Sequence, residues 1–149
     1  MKNNQKKSII LIMMVLLFFV GFLISIPIRK NVGLRGLENE VANILLPIGI
    51  EKVAIGSAIG DSGGNGDYST FRVVLVVKTE LDINELKDSI EQMDLRFSKH
   101  YKNSDNIPIF YVTQCEDSNF QSPREFTLVF DELKELNDYS KYYFIEFIE

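Results

Sequence analysis

The sequence predicts an α+β protein: an N-terminal transmembrane helix, then a small domain with a mainly antiparallel sheet of about five strands and two helices packed on one face. Three observations carry this reading. Residues 9–28 (IILIMMVLLFFVGFLISIPI) contain no charge and are bracketed by Lys6, Lys7, Arg29 and Lys30. Downstream, two segments repeat apolar residues at spacings of three and four, the mark of amphipathic helices. The runs at 51–61, 68–79, 108–115, 125–130 and 141–148 are short, apolar and separated by turn residues, as strands are.

As a helix, residues 9–28 would span roughly 30 Å, about the thickness of bilayer hydrocarbon. A core helix of a soluble protein would show a polar stripe, and Gly21, Ser25 and Pro27 do not form one. A cleaved signal peptide is the competing reading. Its cut normally follows small residues at alternate positions. A cut after Gly21 places Phe19 at the third position back, and a cut after Ser25 places Leu23 there, so a retained signal anchor is the expectation. Lipoprotein processing requires a nearby cysteine, and Cys115 lies far downstream. A basic leader running into an apolar helix is also the layout of type IV pilins. Those proteins need a glycine before the processing point and a glutamate early in the helix, whereas Ser8 precedes Ile9 and no acid precedes Glu38.

The expected order is a basic cytoplasmic tail (1–8), the span (9–28), a juxtamembrane connector (29–35) and an extracytoplasmic domain (36–149). Lys2, Lys6, Lys7 and the terminal amine slightly outweigh Arg29, Lys30 and Arg35, which places the N-terminus in the cytoplasm. The bias is small, and the inverted orientation stays open. The expected location is the cell membrane, crossed once.

In the domain, Leu37, Val41, Ile44, Leu45 and Ile48 predict a helix over about 36–46, stopped by Pro47 and Gly49. Val53, Ile55, Ser57 and Ile59 alternate with small residues in a first strand. The Gly- and Asn-rich loop that follows turns it into the strand Tyr68–Thr79, apolar on both faces from Val73 to Val77. Asp82 and Glu85 make an acidic capping box for a second helix, whose inner face runs Ile83, Leu86, Ile90, Met93, Phe97 and Tyr101. Residues 103–106 read as its exit turn. Strands Pro108–Cys115, Glu125–Phe130 and Lys141–Ile148 follow, with Leu133 and Leu136 favouring a helical turn between the last two.

Charge divides the chain sharply. Of 16 Lys and Arg, five lie in residues 1–30, leaving 11 against all 21 Asp and Glu beyond them, a domain of about −10. Such a domain repels phosphate backbones, so nucleic acid is not an expected partner. The single Cys115 excludes an internal disulfide, and one cysteine with one histidine, His100, cannot assemble a Cys/His zinc site. No nucleophile-elbow sequence occurs, and no cofactor is expected.

Two segments offer candidate sites. In the loop Asp61–Asp67, the residues Asp61, Asn65 and Asp67 are cation candidates, but Gly63 and Arg72 stand where a calcium loop needs oxygen donors. An unliganded hairpin loop explains the same residues. In the C-terminal run KYYFIEFIE, both faces are apolar. A strand inside the sheet accounts for that, whereas an edge strand would make Tyr142, Phe144 and Ile148 a docking row for another protein. The functional expectation is a single-pass membrane protein whose acidic domain binds or positions another protein at the membrane surface, without catalysis. A membrane-tethered carboxylate hydrolase and a weak cation-responsive sensor are the alternatives.

Overall fold

The structure is a computed structural model that describes residues 2–61, 69–93, 95, 109–122 and 126–148. The chain divides into two units, Met1–Val32 and Gly33–Glu149. The first is helical. Helix α1 spans Lys2–Ala42, and its large apolar side chains from Leu11 to Ile24 project outward rather than into a core. Near the N-terminus, this helix is long and apolar enough to cross a membrane.

The second unit begins with the last turns of α1. Residues 29–35, read from sequence as a connector, are helical, and the separate helix expected over 36–46 is instead the end of α1. Helical backbone passes through Gly33 and Gly36. Gly33 has a steric reason to be glycine: a Cβ there would lie 2.6 Å from Cε2 of Phe71. Beyond Ala42 the chain turns. Asn43 caps with its side-chain amide donating to the Asn39 carbonyl at 2.7 Å, and Lys52 Nζ donates to the Ala42 carbonyl at 2.7 Å, a cation where the helix dipole favours one. Gly49 closes the turn at φ 91°, a left-handed conformation that suits glycine.

The main sheet is antiparallel, in the order β1 (Ile50–Asp61), β2 (Ser69–Thr79), β6 (Tyr142–Ile148), β3 (Ile109–Gln114). A second, two-stranded sheet pairs β4 (Asn119–Gln121) with β5 (Thr127–Val129). Among the described residues the strands therefore divide between two sheets, where the sequence predicts one sheet of about five. The strand expected over 125–130 is shorter and belongs to this second sheet, and β4 carried too few residues to register as a strand. A short 3-10 turn, Asp131–Leu133, stands in the stretch left between helix and hairpin, with Leu133 buried.

Alternation along the strands builds two cores. On one face, Val73, Leu75 and Val77 of β2 and Tyr143, Ile145 and Phe147 of β6 cluster with Leu37, Val41 and Ile44, and with Leu86 and Ile90 of helix α2 (Ile83–Glu91). Asp82 N-caps α2 in the capping box expected of it, accepting from Asn84 and Glu85 while Glu85 accepts from the Asp82 amide. Its predicted continuation through Phe97, His100 and Tyr101, and the turn at 103–106, lie outside the described residues. On the opposite face, Val74, Val76 and Phe144 pack with Phe120, Phe130, Leu133 and Cys115. Leu128 and Phe130 press so closely on β1 that a Cβ at Gly56 would meet the Phe130 ring at 3.0 Å. The small-residue strand pattern of β1 is the imprint of that layer.

Candidate functional site

β6 lies between β2 and β3 and is hydrogen-bonded on both sides. Docking by strand addition to Tyr142, Phe144 and Ile148 is therefore closed: the interior reading of that strand is the one the fold takes. Phe144 is buried in edge contact with the Phe120 ring at 5.3 Å, Tyr142 is half-buried beneath Lys78, and Ile148 is half-buried at the end of the ladder. The aromatic content of the C-terminal run serves two cores at once.

Of the cation candidates, Asn65 and Asp67 lie outside the described residues. For Asp61 only the backbone is described, as the last β1 residue, opposite Ser69. Among the described residues, no group of three or more His, Cys, Asp or Glu side chains is placed to hold a metal ion.

Sequence reasoning missed a largely buried ion pair. Arg72 Nη1 donates to Glu146 Oε1 at 2.7 Å, with the two side chains only 15 % and 7 % exposed. Register puts Glu146 opposite both Val74 and Tyr111, so the ion pair sits on the β4–β5 side of the sheet. The signal was present in part: Glu146 is the one charge within the otherwise apolar run of β6, and Arg72 directly precedes the apolar run Val73–Val77 of β2. Glu146 is thus tied into a structural pair, which leaves that carboxylate poorly suited to general acid–base work.

Cys115 follows β3 directly and is buried, its amide donating to the Tyr142 carbonyl at 2.9 Å. Burial, reinforced by the nearby Asp117 charge, pushes its thiol up to about 12, so at neutral pH it carries its proton and is a poor nucleophile.

Two surfaces display large apolar side chains instead. In the turn between α1 and β1, Leu45 is 90 % exposed and Ile48 fully so, while Ile44 between them and the helix is buried. The backbone there is held in place, Ile44 donating to the Val41 carbonyl and Ile50 to the Pro47 carbonyl, each at 3.2 Å. The second surface is the outer edge of β3, where Ile109 is 49 % and Tyr111 56 % exposed. Compared with protein families, curated proteins and solved structures, the chain matches none.

Proposed function

We propose that the chain is a single-pass protein of the cell membrane, anchored by residues 9–28, N-terminus in the cytoplasm, whose extracytoplasmic domain binds or positions another protein close to the membrane surface. The observation that carries the binding part is the turn that holds Leu45 and Ile48 in solvent. Burying such a side chain against a partner is worth about 1.5–3 kcal/mol, and a turn already fixed by backbone hydrogen bonds loses little freedom on docking. Anchoring is supported by the outward-facing apolar side chains of α1.

The test is co-purification from detergent-solubilised membranes with the full chain, with a chain lacking residues 1–30, and with the full-length double variant Leu45→Asp/Ile48→Asp. A protein retained by the first and lost with the double variant, whose unfolding midpoint stays that of the parent, supports the reading. Partners that persist with the double variant, or none at all, overturn it. Extraction of the full chain by alkaline carbonate would separately overturn the anchor. Thiol labelling of single cysteines placed before and after the span, on a Cys115→Ala background, reports the orientation.

A further inference from the structure

We draw no further inference here: the strongest candidate, the outer edge of β3 where Ile109 and Tyr111 are exposed, is an apolar edge with which no strand pairs among the described residues, and nothing in the structure shows what covers it.

Discussion

Arg72 and Glu146 form a diagonal ion pair across the β2–β6 ladder, Nη1 to Oε1 at 2.7 Å, in the layer beneath which Val74, Val76 and Phe144 pack. Neighbouring strands bring residues two positions apart within reach of long side chains, which is how an arginine opposite Ile148 reaches Glu146. Both charges are mostly out of water. The attraction between them therefore offsets a desolvation cost of several kcal/mol rather than adding cleanly to stability.

Removing one member of the pair is expected to cost far more than removing both. Glu146→Ala leaves the guanidinium buried without this carboxylate and should lower unfolding stability by about 3–5 kcal/mol. Arg72→Met with Glu146→Leu should recover most of that loss, because apolar groups of similar size carry no desolvation penalty. Urea unfolding of the full chain in detergent, followed by tyrosine fluorescence in a protein with six Tyr and no Trp, reads both. Additive losses in the double variant would show that the two side chains are not coupled.

The contrast between legible and illegible elements follows from how far apart the deciding residues lie. Asp82 and Glu85 are local neighbours, so their capping box and the helix it starts could be read from spacing alone. The apolar β2 core was legible because Val73–Val77 needs no partner to look buried. For β6 an interior position was the ordinary reading of a strand apolar on both faces, since a bare aromatic edge invites aggregation, but only its pairing with both β2 and β3 decides between interior and edge. β4 is three residues long, below the length at which alternation carries a signal. Residues 29–35 read as a connector because they join two separately legible segments, yet the chain stays helical there, with Leu37 and Val41 of the following turn buried in the core.

Gly33 and Gly36 predict opposite responses to one substitution. Gly36 sits in helix with nothing within 4 Å of where a Cβ would be, so Gly36→Ala should stabilise the domain by about 0.5–1 kcal/mol through helix propensity. At Gly33 the same methyl meets the Phe71 ring at 2.6 and 2.8 Å, and the ring must move out of its half-buried seat. Gly33→Ala is expected to be less stable than Gly36→Ala by about 1–3 kcal/mol, the usual range for overpacking. Adding Phe71→Leu, which shortens the obstructing side chain, should reduce the Gly33→Ala penalty. Equal unfolding midpoints for the two alanine variants would show that the ring yields at no cost.

Cys115 gives the domain a stability term that fails only in alkali. Its thiol is pushed up to about 12, first by burial and second by the charge of Asp117, whereas in the unfolded chain it titrates near its ordinary value of roughly 8.5. Below that value both states hold the proton and the stabilisation is fully present. Between about pH 8.5 and 12 the unfolded chain releases a proton that the folded chain keeps, so stability falls by up to about 1.4 kcal/mol per pH unit from this group. Tyrosines and lysines also titrate in that window, so the informative quantity is the difference between the parent and Cys115→Ala. The parent should lose stability more steeply with pH by close to one proton, and iodoacetamide should modify the folded chain at pH 8 far more slowly than the chain in urea. Parallel pH curves for the two proteins would mean that the thiol is not held in its neutral form by the fold.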